Sequence, residues 1–231
     1  MTATIVRDDT DGRAEAIRVL RAGGIVAVPT DTVYGIAVDL AADGGIERLF
    51  EAKRRPADRA IILLLAEASQ AAELADWPAA AVALAEAFWP GGLTLVLRQR
   101  ADVVLPAVVT GGRTTIGLRV PDHPSPRVIA AGIGPLPVTS ANVSGLPAAG
   151  NASEILAELG DSIDLILDGG PSRGGPASTV VDVSGWTPRI LRRGAVAPDA
   201  IAACLRLAAL PEPAPWEDSG GPEGRVEESR A

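Results

Sequence analysis

Short apolar runs alternate with amphipathic stretches along most of the chain, and the two patterns predict strands and helices in turn. Apolar side chains at Ala14, Ile17 and Leu20 share one helical face, which predicts a helix over 11–21 with Thr10 as its cap. By the same criteria, further helices are predicted over 44–54, 66–75, 78–88, 125–131, 152–159 and 198–207. Apolar runs between turn residues predict strands over 25–28, 35–40, 61–65, 93–97, 115–120, 136–139, 165–167, 178–182 and 189–192.

These elements alternate without the strict rhythm of a βαβ array, and some strand pairs are close enough in sequence to be antiparallel. We therefore predict a single α/β domain with an open, twisted, mixed β-sheet flanked by helices, over residues 1–210. From Pro211 to Ala231 the chain consists mostly of Pro, Gly, Glu and Ser. Such a composition cannot bury enough apolar surface to order itself, so residues 211–231 are predicted to form a disordered acidic tail.

The amino-acid composition excludes several classes of protein. With 47% hydrophobic and 22% charged residues, the 231-residue chain is typical of a globular protein. It contains no apolar run near the roughly 20 residues that span a bilayer, and the N-terminus lacks the pattern of a secretory signal, so we expect a cytoplasmic protein without a membrane partner. One cysteine, Cys204, and one histidine, His123, permit neither an internal disulfide nor a Cys/His zinc site.

Charge is unevenly distributed. The net charge is −8, but the tail holds six acidic residues against two arginines, so half of the excess lies there. Arginines cluster near residues 54–59 and 189–193, and a basic cleft is compatible with an acidic molecule. Of 21 basic residues only Lys53 is a lysine, and it lies on the apolar face of its predicted helix. That phase directs its ammonium inward and favours anion binding over a solvated helix end.

Common nucleotide motifs are missing. The single lysine follows Ala52, so there is no P-loop, and no third glycine completes a dinucleotide fingerprint after Gly132 and Gly134. No Gly-x-Ser-x-Gly elbow occurs either. His123 lies between two prolines, which favours a structural role.

Four polar clusters remain, each at a strand end or turn. They are residues 29–35 with Tyr34 as a flat wall for a ligand, residues 53–59, residues 139–145, and the paired glycines at 91–92, 169–170 and 174–175. In extended backbone Ser140 and Asn142 face the same side, where a hydroxyl and a carboxamide suit a carboxylate or phosphate oxygen. Each cluster by itself is also compatible with an ordinary turn. Together they predict a cationic, hydroxyl-lined cleft for a phosphate-bearing ligand.

The ordered set of clusters resembles the YrdC-like family, the threonylcarbamoyl-AMP synthases of tRNA modification, in their short single-domain form. The segments that carry the resemblance are Pro29–Gly35, Lys53–Pro56, Trp89–Thr94, Gly117–Pro121, Ser140–Gly145, Ser178–Asp182 and Ile190–Arg192. The resemblance covers the chain from about Thr10 to Leu207. It implies a concave, positively charged face on the sheet.

The resemblance also implies an activity and its residues. ATP, L-threonine and bicarbonate would give L-threonylcarbamoyladenylate and pyrophosphate, with Mg²⁺ accompanying ATP, and downstream threonylcarbamoyl-transferase proteins would modify tRNA. The implied catalytic residues are Lys53, Arg55, Ser140 and Asn142. The implied ATP contacts are Arg55, Arg59, Asn142 and Arg192, and the implied threonine contacts are Thr32, Arg119, Ser140 and Ser178.

Two departures and one alternative accompany this interpretation. Many relatives have proline and histidine in the strand after the basic motif, where this chain has Ala60 and Leu64, so one threonine contact is missing or replaced. Longer relatives add a C-terminal domain, where this chain has only its tail. The alternative is a non-catalytic module of the same fold that binds tRNA or another structured RNA through the same cations.

Overall fold

The structure is a computed structural model that describes residues 2–54 and 60–215. Its strands are β1 (Thr4–Arg7), β2 (Val26–Val28), β3 (Gly35–Ala37), β4 (Ile62–Leu64), β5 (Leu93–Arg98), β6 (Thr115–Arg119), β7 (Leu136–Ser140), β8 (Leu165–Asp168), β9 (Thr179–Asp182) and β10 (Arg189–Arg192). Its helices are α1 (Thr10–Arg21), α2 (Gly45–Lys53), α3 (Ser69–Leu74), α4 (Ala79–Phe88), α5 (Ala107–Thr110), α6 (Pro124–Ile133), α7 (Ala152–Leu159) and α8 (Pro198–Leu207).

All these strands join one sheet in the order β1-β8-β2-β3-β7-β4-β6-β5-β9-β10. Pairing is parallel for β1 with β8, β8 with β2, β4 with β6, and β5 with β9, and antiparallel for the other neighbours. The predicted mixed α/β sheet is therefore confirmed. That its concave face is cationic stays a prediction, since Arg55 and Arg59 lie outside the described residues.

The core lies on both faces of the sheet. Successive residues of a strand point to opposite faces, and in β4 Leu63 packs in one apolar cluster while Leu64 packs in the other. Helices α2, α4, α7 and α8 contribute to the first cluster, and α1 and α6 to the second. Strands covered on both sides in this way read as continuous apolar runs, which explains why they could be predicted from sequence.

Local predictions differ from the structure where side chains compete with the main chain. Helix α1 is capped by Asp9, whose Oδ1 accepts from the Gly12 amide at 2.9 Å, so the predicted Thr10 cap is wrong. Strand β3 ends three residues before the predicted limit because Asp39 caps the Ala41 amide and turns the chain. Two elements were missed: β1, which is largely exposed and has no apolar run, and the single turn α5.

Residues 211–215, assigned from sequence to the tail, contact the folded body. The Ala214 amide donates to the Pro188 carbonyl at 2.9 Å in an isolated bridge beside β10, and Glu212 pairs with Arg206 at 3.0 Å. The rest of the predicted tail, residues 216–231, lies outside the described residues. None of the helices described by the structure is long and apolar enough to cross a bilayer.

Candidate active site

Lys53 meets Ser140 and Asn142, as the inward phase of its helix predicts. It is the last residue of α2 and is 1% exposed. Its Nζ donates to the Ser140 carbonyl, to Ser140 Oγ at 3.3 Å and to Asn142 Oδ1 at 3.0 Å. A buried ammonium needs such oxygen partners because desolvation alone disfavours its charge. Of the predicted catalytic residues, these three form one cluster, and Arg55 lies outside the described residues.

Asn142 is fully engaged within the protein. Its Oδ1 accepts from Lys53 and from Ser140 Oγ, the latter at 2.5 Å. Its Nδ2 donates to the carbonyls of Val143 at 3.0 Å and Leu146 at 2.6 Å. A carboxamide offers two acceptor and two donor positions, and all four are used. In this structure Asn142 therefore orients the ammonium, and the donor expected for a ligand oxygen is turned into the protein.

The loop that carries Asn142 is tied to two helices. The Ser144 amide donates to the Lys53 carbonyl at 3.0 Å, which holds the loop on the end of α2. The Val143 amide donates to the Glu158 carboxylate of α7. Glu158 is a supporting residue that sequence analysis missed, since nothing in the chain links α7 to the loop before folding.

A second cluster surrounds Arg119, the last residue of β6. Its Nε donates to the Gly91 carbonyl at 2.8 Å, one terminal nitrogen donates to Thr32 Oγ1 at 3.1 Å, and the other forms an ion pair with Asp31 at 2.6 Å. Both partners of the pair are buried, with side chains 6% and 7% exposed. Burial lowers the pKa of Arg119, and the neighbouring Asp31 carboxylate opposes that shift. Asp31 was missed as a site residue although it lies between the two threonines of the first motif.

The hydrogen bonds of this cluster determine which of the Thr30 and Thr32 hydroxyls donates to the other. Thr30 Oγ1 donates to the Val33 carbonyl at 2.6 Å, so its own proton is used. The contact of 3.1 Å between the hydroxyls of Thr30 and Thr32 is then donated by Thr32. Because Thr32 Oγ1 also accepts from Arg119, it retains one lone pair, and toward a ligand it is an acceptor.

A third cluster joins Ser178 to Arg192. Arg192 donates through Nε to the Ser178 carbonyl and through a terminal nitrogen to Ser178 Oγ, both at 3.1 Å. Ser178 Oγ also lies 2.8 Å from Thr94 Oγ1. A predicted threonine contact and a predicted ATP contact are thus direct neighbours. Thr94 was missed as their partner, although it stands in one of the recognised segments.

The turn 30–34 connects the clusters. At one end the Tyr34 carbonyl accepts from the Ala141 amide at 2.8 Å, between Ser140 and Asn142. Near its middle Thr32 contacts Arg119, and a Cβ added at Gly92 would lie 3.7 Å from the Thr32 methyl and 2.6 Å from the Ala195 Cβ. The Gly92 carbonyl in turn accepts from the amide of Thr179, the residue after Ser178. Glycine at 92 is required by this close approach.

Two further predictions have clear outcomes. Tyr34 is fully buried, so the prediction that its ring forms a wall for a ligand is wrong. His123 caps α6 through Nδ1, which accepts from the Ser125 amide at 3.3 Å, as its predicted structural role requires.

Within residues 2–54 and 60–215 no group of three or more His, Cys, Asp or Glu side chains is placed to hold a metal ion. Leu64, where the family resemblance led us to expect a histidine, packs in the core opposite Arg119 in the β4–β6 register.

Sequence comparisons identify relatives over most of the chain. The family model for the Sua5, YciO and YrdC proteins, described as telomere recombination, matches residues 18–194. A threonylcarbamoyl-AMP synthase of Pyrococcus abyssi is 41% identical over 177 residues, which is 76% of this chain and 52% of that protein. One from Vibrio vulnificus is 34% identical over 184 residues, 78% of this chain and 97% of that protein. The chain thus spans about half the length of the archaeal relative and nearly all of the other.

Solved structures show the same architecture. The crystal structure of P. abyssi Sua5 complexed with L-threonine is 36% identical, with a TM-score of 0.81 over 88% of this chain and 60% of that one. Escherichia coli YciO, at 24% identity, has the same fold with a TM-score of 0.78 over 87% of this chain and all of that one. By sequence and by fold, the chain belongs to the Sua5/YciO/YrdC family.

Proposed function

We propose that this protein is an L-threonylcarbamoyladenylate synthase. It would convert ATP, L-threonine and bicarbonate into threonylcarbamoyl-AMP and pyrophosphate. The observation that carries the proposal is the convergence of the single lysine of the chain on Ser140 and Asn142. The family resemblance implies that these three residues are catalytic. Relatives at 34–41% identity that carry this name support it.

The chemistry must bring two anions together. The neutral amine of threonine attacks bicarbonate with loss of water, or CO₂ with loss of a proton to solvent, to give a carbamate. A carbamate oxygen then attacks the α-phosphate as pyrophosphate leaves. Two unit charges at about 4 Å repel by about 4 kcal/mol at an effective dielectric constant of about 20. The Lys53 ammonium offsets this repulsion, and Ser140 and Asn142 hold it in place without adding negative charge. Catalysis on this scheme is positioning and electrostatic stabilisation, and it requires no dedicated general base.

The Arg119 cluster fits the amino acid. Three of the five guanidinium N–H groups are used by Gly91, Thr32 and Asp31, and we assign the other two to the threonine carboxylate. The lone pair on Thr32 Oγ1 suits a donor of the substrate, either its amine or its hydroxyl. Ser178 completes the predicted threonine contacts with Ser140. The P. abyssi Sua5 structure contains L-threonine, which supports an amino-acid site in this fold.

Arg192, Arg55 and Arg59 remain the proposed direct ATP contacts. Asn142, whose four hydrogen-bonding positions are used within the protein, would act on the nucleotide by orienting Lys53. Arg192 already spends two N–H groups on Ser178, which would couple the nucleotide site to the threonine site. Mg²⁺ enters this proposal as part of the substrate, Mg-ATP, because it binds phosphate oxygens and keeps several of its waters. The product would pass in the cytoplasm to threonylcarbamoyl-transferase proteins that modify the adenosine beside the anticodon of certain tRNAs.

Pyrophosphate release tests the proposal directly. Purified protein with Mg-ATP should release pyrophosphate only when threonine and bicarbonate are both present. Lys53→Ala should abolish release while the protein keeps its fold by circular dichroism. Arg18→Ala, which removes an exposed cation from α1, is the matched control and should retain normal activity.

Two outcomes would contradict this proposal. Near-normal turnover in Lys53→Ala would refute the role assigned to the lysine. Wild-type protein that releases no pyrophosphate but binds structured RNA, with affinity falling steeply as salt rises, would establish the RNA-binding alternative instead.

A further inference from the structure

We propose that Tyr34 is a positioning residue for the amino-acid substrate, holding the turn 30–34 in register with two other segments of the site. The inference rests on the proposed function and adds a residue that neither touches the substrate nor belongs to the catalytic cluster. Tyr34 is the only tyrosine in the chain and its side chain is fully buried.

The phenol holds the turn that follows β8. Tyr34 Oη donates to the Gly170 carbonyl at 2.7 Å and accepts from the Gly169 amide at 3.0 Å. Both groups belong to a tight turn in which Gly170 adopts a φ of 80°. A Cβ added at Gly169 would lie 2.9 Å from the Pro29 ring, so this turn packs directly on the residue that precedes turn 30–34.

The backbone of Tyr34 holds the Ser140–Asn142 segment. The Tyr34 carbonyl accepts from the Ala141 amide at 2.8 Å, and Gly35 is in register with Ser140 across β3 and β7. One residue therefore fixes turn 30–34 to the Ser140–Asn142 segment through its main chain and to the Gly169–Gly170 turn through its side chain. Replacement by phenylalanine removes only the second connection.

A shift of turn 30–34 would affect the substrate through Thr32, which is the proposed substrate contact in this turn. That residue lies two positions before Tyr34, and its hydroxyl is held by Arg119 and Thr30. Loss of the hydroxyl leaves turn 30–34 attached at Ala141 but removes its hydrogen bonds to the turn that follows β8. We therefore expect weaker threonine binding in the pocket of Thr32 and Arg119. The cluster of Lys53, Ser140 and Asn142 should be unaffected, because these residues keep their mutual hydrogen bonds.

The hydroxyl stays a donor throughout the neutral range. Burial raises the pKa of Tyr34, the hydrogen bond from Gly169 partly opposes that shift, and the nearby carboxylates of Asp168 and Asp8 raise it further. The contact with the Gly170 carbonyl is therefore not lost on moderate alkalinisation.

Steady-state kinetics of Tyr34→Phe test the proposal. We expect KM for threonine to rise about fivefold, because both hydrogen bonds of the hydroxyl are lost and part of that loss reaches the threonine pocket, while KM for ATP and kcat at saturating threonine stay within about twofold. Isothermal titration of L-threonine should show the same loss of affinity without turnover. Thr110→Val is the matched control, since it removes another buried hydroxyl bonded to a backbone carbonyl, that of Ala107, outside the site.

The outcomes separate this inference from the proposed function. Unchanged KM for threonine in Tyr34→Phe, in an active wild-type background, overturns the positioning role alone. An equal rise in both KM values together with a lower melting temperature also overturns it, because a purely structural role predicts that pattern. Thr110→Val is expected to lower the melting temperature without a selective rise in KM for threonine. Absence of threonine-dependent turnover in the wild-type protein removes the proposed function and this inference with it.

Discussion

At the scale of single residues, the site consists of side chains whose hydrogen-bonding capacity is largely used within the protein. Asn142 spends all four positions on its own surroundings, and Thr32 retains a single lone pair. Such saturation fixes orientation, because a satisfied polar group in a dry interior loses a full hydrogen bond when it rotates. The Arg119–Asp31 pair is the extreme case, with both charges buried.

Loss of Asp31 should destabilise the fold. Asp31→Ala leaves the Arg119 guanidinium buried without its counter-ion, which costs about 3–5 kcal/mol in comparable pairs. Urea unfolding measures the change in free energy. Asp102→Ala removes the partner of an exposed pair with Arg100 and should leave the unfolding midpoint nearly unchanged. A loss for Asp31→Ala below about 1 kcal/mol would show that the pair does not carry this stability.

At the scale of elements, helix ends hold residues in and around the candidate site. Lys53 lies in the last turn of α2, Glu158 of α7 holds the loop of Asn142, and His123 is the N-cap of α6, four residues after Arg119. Burial lowers the pKa of His123. The carboxylates of Asp8 and Asp31 oppose this shift, and nearby arginines add to it. Neutral His123 is the form that can accept a hydrogen bond at Nδ1 from the Ser125 amide.

The α6 cap should therefore make stability depend on pH. As pH falls through about 6.5, the unfolded chain takes up a proton on His123 before the folded protein does, so the free energy of unfolding decreases below that pH. His123→Asn keeps a good N-cap residue and has no titrating group. Its free energy of unfolding should change less between pH 7 and pH 5 than that of the wild-type protein. If the free energy of unfolding of both proteins changes equally between pH 7 and pH 5, the His123 cap is not the source of the pH dependence.

At the scale of the whole molecule, one mixed sheet gathers segments that are far apart in sequence. Turn 30–34, the ends of β6 and β7, and the start of β9 meet through contacts between residues more than 80 positions apart. The chain also returns along β10, where Ala214 bridges to the folded body and Glu212 pairs with Arg206. Contacts between the chain and the folded body thus continue past Leu210.

Two truncations test these contacts. Removal of residues 216–231, which contain few apolar side chains that could pack on the folded body, should leave the melting temperature within about 2 °C of the full chain. Removal of residues 211–231 also deletes the Ala214–Pro188 hydrogen bond and should lower it by about 2–4 °C, since about 1 kcal/mol shifts a domain of this size by that amount. Equal melting temperatures for both truncations would show that residues 211–215 add no stability.

The sequence by itself determined the fold class, most element positions and the family, because these follow from hydrophobic periodicity and from ordered short motifs. It also placed Lys53 on an inward helical face, and the contact with Ser140 and Asn142 bears this out. The Asp9 cap, the β1 strand and the burial of Tyr34 were not predictable in this way, since each depends on a competing local partner or on a neighbouring strand.

Only the tertiary structure decided where each polar group directs its hydrogen bonds. The Asn142 side-chain amide donates to the carbonyls of Val143 and Leu146. Arg119 pairs with Asp31, which lies 88 positions away in the sequence. The physical reason is that a hydroxyl, amide or guanidinium can bond in several directions, and local sequence does not choose among them. The choice is made when the sheet closes and excludes water, leaving one arrangement in which nearly every buried polar group is paired.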